Sequence, residues 1–228
     1  MKHKLLITSI FLLILKLTFS QNIEKYSENK TKTEKNLNKT LVAILDTIHE
    51  KDQKYRIQEI EIEKKYGWDS QECRNIWKKI HYTDSINIVK VEEIVDKYGW
   101  LGPEIIGEQG NKTLFLVIQH ADIKTQERYL PVLKEAVKEG RAKASYMALL
   151  EDRILLAQGK KQIYGSQLEM DMKTNKYILS PMIDPDNVDK RRAKVGLKPL
   201  SEYLQFWNIE WDAEKFKKRM KEIDKENK

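Results

Sequence analysis

Residues 37–56 read LNKTLVAILDTIHEKDQKYR, and this stretch decides the fold. Its apolar residues recur every three or four positions, as they do on one face of an α-helix: Leu37, Leu41, Ile44, Leu45 and Ile48. Continuing the same face forward reaches Asp52, Tyr55 and Arg56. The pattern therefore predicts an amphipathic helix whose buried face becomes polar halfway along.

A second helix of the same design is predicted after Ser70, which is a suitable N-cap. Its apolar face is interrupted by Asp84 and Asn87 before it becomes apolar again. The two segments align at an offset of 32 residues, and each ends in Lys-Tyr-Gly-Trp, at 65–68 and 97–100. Each glycine is expected to supply the left-handed residue that closes a helix.

The remaining pattern is also mainly helical. Residues 101–110 contain Gly-Pro and two further glycines and predict a loop, whereas 113–121 predict a buried helix. Segments 161–170 and 176–182 predict a β-hairpin around residues 173–175. The predicted fold class is mainly α: a single compact helical domain at 37–210 with a small late hairpin near 161–182, followed by a charged C-terminal helix at 211–228.

The N-terminal 20 residues form a separate element. A basic start, an apolar run from Leu5 to Leu15 and small residues before Gln21 are typical of a signal peptide, so we expect an exported protein, periplasmic or secreted. Residues 21–36 are polar and predict a flexible leader. Cleavage removes three lysines, which lowers the net charge from +7 to +4. That small surplus gives no reason to expect nucleic acid as a partner, and no run after residue 20 is long enough to span a membrane.

Polar residues occupy several positions where the apolar pattern predicts burial. Burying an unpaired charge costs several kcal/mol, so such residues must be paired or must serve a ligand. Asp52 and Arg56 are one helical turn apart and are expected to pair locally, whereas the predicted partners of Asp84 are Arg153, Arg191 or Arg192. The full set comprises Asp52, Arg56, Asp84, Asn87, Gln119, His120, Asp122, Asp152, Arg153, Gln162, Tyr164 and Gln167.

Six short motifs follow one another in a specific order: Asp52–Arg56 (DQKYR), Lys97–Trp100 (KYGW), Gln119–Asp122 (QHAD), Glu151–Arg153 (EDR), Gln162–Gln167 (QIYGSQ) and Arg191–Leu197 (RRAKVGL). Together they resemble the family called domain of unknown function 6624, which is common among exported bacterial proteins. The resemblance covers residues 37–203. Leu101 and Ser166 depart from the family pattern, which often has Pro and Thr there, but Ser166 keeps the hydroxyl group. The resemblance implies no particular activity.

Candidate chemistry therefore comes from the residues themselves. Histidine titrates near neutral pH, so His120 beside Asp122 predicts a general acid–base pair. Arginine binds carboxylate or phosphate through paired hydrogen bonds. A ligand site is predicted from Asp52, Arg56, Asp84, Asp152, Arg153, Gln162, Tyr164, Gln167 and Arg192. Only one histidine accompanies the acids, so zinc is not expected, and no metal or cofactor is predicted.

Two functions remain open from the sequence. The first is a polar pocket that binds a small polar or anionic ligand, with hydrolysis as the candidate reaction. The alternative is a noncatalytic envelope or secreted interaction module, in which the buried polar network only stabilises the fold. The chain contains no Gly-x-Ser-x-Gly or His-Glu-x-x-His motif, so no familiar hydrolase signature decides between them.

Overall fold

The computed structural model describes residues 36–171, 174 and 176–226, and it confirms the mainly helical fold with a late hairpin. The predicted signal peptide and almost all of the predicted leader lie outside these residues. The helices are α1 (Lys39–Tyr66), α2 (Gln71–Tyr98), α3 (Pro103–His120), α4 (Ile123–Lys138), α5 (Ala144–Ala157), α6 (Val188–Lys194), α7 (Leu200–Gln205) and α8 (Ala213–Glu226). Strands β1 (Leu168–Asp171) and β2 (Lys176–Leu179) pair antiparallel, and a 3-10 turn (Pro185–Asn187) precedes α6.

Helices α1 and α2 have the same length and the same kinds of ends. The side chains of Asn38 and Ser70 cap their N-termini by accepting hydrogen bonds from the backbone N–H three residues later. Gly67 and Gly99 close their C-termini with φ of 85° and 69°, a conformation that favours glycine. The duplicated Lys-Tyr-Gly-Trp therefore marks two helix ends, as predicted.

The main core lies where α1 packs against α2 and α3, with α4 and α5 on the other side of α3. Its buried side chains are large apolar groups, and each such group stabilises the fold by about 1.5–3 kcal/mol when fully buried. They include Leu45, Ile48, Val91, Trp100, Ile106, Leu114, Ile118, Tyr129, Leu133 and Leu150. Of the apolar face predicted for α1, Leu41, Leu45 and Ile48 are therefore packing residues, whereas Ile44 is 39% exposed. None of the described helices is both long enough and apolar enough to cross a membrane.

A second core joins the hairpin to the C-terminal helices. Its buried side chains come from β2, α6, α7, α8 and the turns between them: Leu179, Met182, Val188, Leu200, Leu204, Phe216 and Met220. Phe216 and Met220 lie one turn apart on α8. The charged C-terminal helix is thus packed on the hairpin through the apolar contacts that its sequence shows.

The loop predicted at 101–110 is wrong, because α3 begins at Pro103. Proline suits the first turn of a helix, where its missing N–H needs no partner, so Gly102-Pro103 is a helix start here. Gly107 then interrupts the helix with φ of 73°. The glycines therefore bend a buried helix instead of forming a surface loop.

The predicted hairpin strands are too long at both outer ends. Only Leu168–Asp171 and Lys176–Leu179 form strands, and residues 162–167 are irregular apart from one bridge between Gln162 and Met182. In this segment, which we call the 162–167 loop, the backbone N–H groups of Ile163, Tyr164 and Ser166 donate to the side chain of Asp152 on α5. They are therefore not available for a strand ladder, and Gly165 turns the chain with φ of 66°.

Candidate functional site

The polar interruptions of α1 and α2 meet each other and the end of α3. Asp52 and Arg56 come from α1, Asp84 comes from α2, and His120 is the last residue of α3. We call these four residues the His120 cluster. The structure thus brings four of the residues predicted for the site into one interhelical contact.

His120 is held by a buried carboxylate. Its Nδ1 atom lies 3.1 Å from Oδ1 of Asp52, whose side chain is only 1% exposed. The other Asp52 oxygen accepts a hydrogen bond of 2.7 Å from Nε2 of Gln53. A carboxylate at Nδ1 favours the proton on that nitrogen, which leaves Nε2 of His120 as an acceptor. Nε2 lies 3.4 Å from the amide nitrogen of Gln119.

The charge state of Asp52 follows from its neighbours. Burial by itself raises the pKa of Asp52, because it removes water from the charged form. The hydrogen bond from His120, its charge when the imidazole is protonated, the charge of Arg56 and the hydrogen bond from Gln53 act in the opposite direction. Their sum is larger, so the pKa of Asp52 lies below its usual value and the group is a carboxylate at neutral pH.

Arg56 pairs with Asp84 through two parallel hydrogen bonds. Nη1 donates to Oδ1 at 3.0 Å and Nη2 donates to Oδ2 at 2.9 Å, the geometry that makes arginine–carboxylate pairs strong. The same Nη1 lies 3.9 Å from Oδ1 of Asp52. The predicted partners of Asp84, namely Arg153, Arg191 and Arg192, are therefore wrong. The predicted local pair of Arg56 with Asp52 is present, and because α1 packs beside α2 the same arginine also reaches across to Asp84.

Three groups of the His120 cluster have the chemistry of metal ligands. Asp52, Asp84 and His120 each offer one ligand atom, and these atoms lie within 4.8 Å of one another. Two carboxylate oxygens and an imidazole nitrogen suit several divalent cations. Arg56 already engages both oxygens of Asp84, so a cation would have to compete with this guanidinium.

Arg153 on α5 is a cation without a matching anion. Its Nε atom is buried and has no hydrogen-bond partner. Burial lowers the pKa of Arg153, the charge of Arg56 lowers it further, and Tyr203 raises it, with no carboxylate contributing among the described residues. Two guanidinium groups therefore act on each other beside the cluster. An anionic ligand would offset both the free-energy cost of burying the Arg153 charge and its repulsion from Arg56.

Asn87 adds a second unpaired group one helical turn after Asp84. Its side chain is 1% exposed, and neither its amide nitrogen nor its oxygen has a hydrogen-bond partner. Buried polar groups are normally paired with protein or with ordered water. The α2 contribution to the cluster thus includes hydrogen-bonding capacity that the described residues do not use.

Asp152 belongs to a different arrangement, which fixes the 162–167 loop. Its carboxylate is fully buried and accepts from the backbone N–H of Ile163, Tyr164 and Ser166 at 2.7, 3.0 and 3.0 Å, and from the Ser166 hydroxyl at 2.9 Å. Burial raises the pKa of Asp152, and these hydrogen bonds oppose the rise. The acceptor capacity of this carboxylate is used within the protein.

Gln162 and Arg192, two other predicted residues of this region, are also bound to backbone. Gln162 donates to the carbonyl groups of Gln167 and Ser180 and accepts from the Gln167 N–H. Arg192 donates to the carbonyl groups of Lys198 and Tyr164 at 2.6 and 2.8 Å. Gln167 donates from Nε2 to the Ser166 hydroxyl, and the half-buried Tyr164 ring has a pKa raised first by burial.

Asp122, predicted to act with His120, is the N-cap of α4. Its exposed carboxylate accepts from the Thr125 N–H at 2.8 Å, and this bond lowers its pKa. The carboxylate in contact with His120 is Asp52. Gln126, which the sequence reading missed, donates to the carbonyl groups of Gln119 and Ala121 on either side of His120. The feature of the sequence that could have identified Gln126 is its position one helical turn after the N-cap Asp122.

Comparisons with known proteins identify a family. No curated protein and no solved structure matches the chain. One family model, described as "Family of unknown function (DUF6624)", matches residues 36–217, which is well over half of the sequence. The matched range includes the His120 cluster, Arg153 and the 162–167 loop. The chain is therefore a member of the DUF6624 family.

Proposed function

We propose that this protein binds a small anionic ligand beside the His120 cluster and hydrolyses it, with His120 as general base. The observation that carries the proposal is Arg153, whose buried Nε atom has no hydrogen-bond partner and whose pKa is lowered first by burial and then by the charge of Arg56, a member of the cluster in which a carboxylate holds His120. Keeping such a group unpaired costs free energy, and a ligand that supplies the missing charge accounts for it.

The chemistry assigns one step to each group. Nε2 of His120 accepts a proton from water, and the hydroxide attacks the electrophilic carbon or phosphorus of the ligand. Asp52 stabilises the imidazolium that forms, as the carboxylate of an Asp–His pair does. The proton then passes to the departing oxygen as its bond breaks. Arg153 neutralises the charge that develops on the ligand.

A noncatalytic role is the second candidate, and one observation favours it. Three residues form hydrogen bonds with the backbone of the 162–167 loop and its surroundings: Asp152, Gln162 and Arg192. These residues are therefore assigned to the fold in both candidates. The two functions differ in what they expect from Arg153 and His120.

Thermal unfolding with inorganic phosphate and with acetate tests the anion site. We expect phosphate to raise the Tm of the wild-type protein and to leave the Tm of Arg153→Met and Arg153→Lys unmoved, since lysine cannot form the planar pair of hydrogen bonds. In the absence of anion, Arg153→Met should be as stable as wild type or more stable, because an unpaired buried charge is removed.

Arg74→Met is the matched control. Arg74 is 53% exposed and pairs with Asp69 on the surface, so its loss should leave the phosphate effect intact. If Arg153→Met lowers stability by more than about 2 kcal/mol, the guanidinium belongs to a structural network and the noncatalytic role stands. For the reaction, chromogenic carboxylate and phosphate esters are the probes, and wild-type turnover by His120→Gln would exclude the general base.

We further propose that the chain is exported and that residues 1–20 are removed. The support is the sequence of that segment, with its basic start, its apolar run and the small residues before Gln21. Mass spectrometry of the protein recovered from a bacterial envelope fraction should give a mature chain that begins at Gln21. An N-terminal peptide that still contains Met1 would contradict export by this route.

A further inference from the structure

A cavity of about 480 Å³ lies between the end of α1, the hairpin and the turn after α7, and none of its lining residues belongs to the His120 cluster. Three aromatic rings line it, and they come from segments far apart in the sequence: Trp68, Tyr177 and Trp207. We call it the aromatic cavity. Its volume is within the range of small-ligand sites.

The rings form walls that meet at an angle. The Tyr177 and Trp207 centroids are 5.1 Å apart and their planes are inclined by 62°. Trp207 is 43% exposed and Trp68 is 37% exposed, although both are large apolar side chains. The backbone next to each is held in a left-handed conformation, with φ of 85° at Gly67 and 55° at Asn208. Asparagine is among the non-glycine residues that adopt this conformation most readily.

Two charged residues line the aromatic cavity, Glu63 and Lys176. Glu63 lines it and lies 3.5 Å from the Tyr177 hydroxyl. Glu59 is one turn earlier on α1, and its pKa is raised first by burial and then by the charge and hydrogen bond of Glu63. Lys176 also lines the cavity, but its side chain is exposed and belongs to the rim. Glu63 is therefore the acid that lines the cavity beside the rings, whereas Arg56, which lowers the pKa of Glu59, is not among the lining residues.

We propose that the aromatic cavity binds a quaternary ammonium group. Ring faces attract cations, and a methylated ammonium is held by several rings at once because it is weakly hydrated. Glu63 supplies the opposite charge at hydrogen-bonding distance from one of those rings. A sugar fits less well, since it needs one open ring as a flat platform, whereas here two walls are inclined to each other.

Titration of the full-length protein with tetramethylammonium chloride, followed by tryptophan fluorescence and calorimetry, tests the proposal. We expect saturable binding of tetramethylammonium. The alcohol 3,3-dimethylbutan-1-ol, an uncharged molecule of similar shape to choline, should bind at least about ten-fold more weakly. Trp207→Leu should weaken binding by about ten-fold or more, while Trp207→Phe retains part of it because a ring remains.

Trp77→Leu is the matched control, since Trp77 is 45% exposed on α2 and does not line the aromatic cavity. It should leave tetramethylammonium affinity unchanged, whereas Glu63→Gln should lower the affinity several-fold without loss of Tm. Absence of saturable binding to the folded wild-type protein would overturn the proposal. Equal affinity for the neutral alcohol would overturn it as well. Neither result depends on Arg153 or His120, so the two sites are tested separately.

Discussion

Nδ1 of His120 lies 3.1 Å from Oδ1 of Asp52, and 68 residues separate the two in the sequence. Asp52 is buried among apolar side chains of α1 and α3, and the imidazole at the end of α3 is its main partner for charge and hydrogen bonding. A buried carboxylate without such a partner would be strongly destabilising. The end of α3 and the middle of α1 are therefore joined by a polar contact within an apolar interface.

Replacing Asp52 with asparagine should destabilise the protein. The amide has no charge and can accept at only one atom, so the bonds from His120 and Gln53 are weakened. Hydrogen bonds to charged groups contribute about 1.5–3 kcal/mol each, and we expect a loss in this range from urea unfolding. Asp46→Asn, at an exposed position of the same helix, should change stability by less than about 0.5 kcal/mol. Equal effects at the two positions would contradict the role of the contact.

The decrease in the free energy of unfolding at acidic pH should depend on Asp52. Because its pKa in the folded protein is below its usual value, the carboxylate contributes stability above the unfolded pKa, near 3.9, and this is lost as the pH falls through the folded pKa. The difference in unfolding free energy between wild type and Asp52→Asn should therefore shrink from about pH 5 down to about pH 3. A difference that stays constant over this range would show that Asp52 does not titrate there.

Helical periodicity explains why much of this contact could be predicted. The stripes that contain Ile48 and Ile80 identify the buried faces of α1 and α2, and Asp52 and Asp84 lie on those faces. Periodicity gives the face of a helix but not its axial alignment with a neighbour. The local pair of Arg56 with Asp52 follows from spacing within α1 and is present, whereas the pairing of Arg56 with Asp84 depends on that alignment and was not predicted.

The errors at 101–110 and 161–167 have a related cause. Gly-Pro occurs both in loops and at helix starts, and only the packing of Ile106 and Leu114 in the core identifies α3. The alternating residues of 161–167 resemble a strand, yet the N–H groups of Ile163, Tyr164 and Ser166 bind Asp152, eleven or more residues earlier. Local patterns do not report a partner that comes from another element.

Asp152 should be required for the order of the 162–167 loop. In Asp152→Asn one oxygen becomes an NH₂ group that faces N–H donors, so buried donors lose their acceptor. Each such donor costs about 1–3 kcal/mol, and we expect a total loss of about 2–4 kcal/mol. Hydrogen exchange should accelerate at Ile163, Tyr164 and Ser166. Asp69→Asn, at a surface ion pair, is the control and should leave both stability and exchange near wild type.

Alanine substitutions at Gly165 and Gly196 distinguish the free-energy cost of backbone strain from that of packing in the same region. Both have positive φ, 66° and 72°, so alanine at either position costs about 1–2 kcal/mol. At Gly196 no atom lies within 4 Å of the added Cβ, whereas at Gly165 it would lie 3.0 Å from Sδ of Met182 and 3.2 Å from Cδ1 of Leu200. Since both neighbours are buried, Gly165→Ala should cost about 1–3 kcal/mol more than Gly196→Ala in urea unfolding.

A second background shows whether the contact with Met182 causes the difference. In Met182→Ala the thioether is absent and only the approach to Leu200 remains, so the excess cost of Gly165→Ala over Gly196→Ala should be smaller than in the wild-type background. If Gly165→Ala and Gly196→Ala cost the same in the wild-type background, the 162–167 loop can shift away from the second core. The hydrogen bonds from Asp152 and Arg192 argue against such a shift, because they fix the loop backbone on both sides of Gly165.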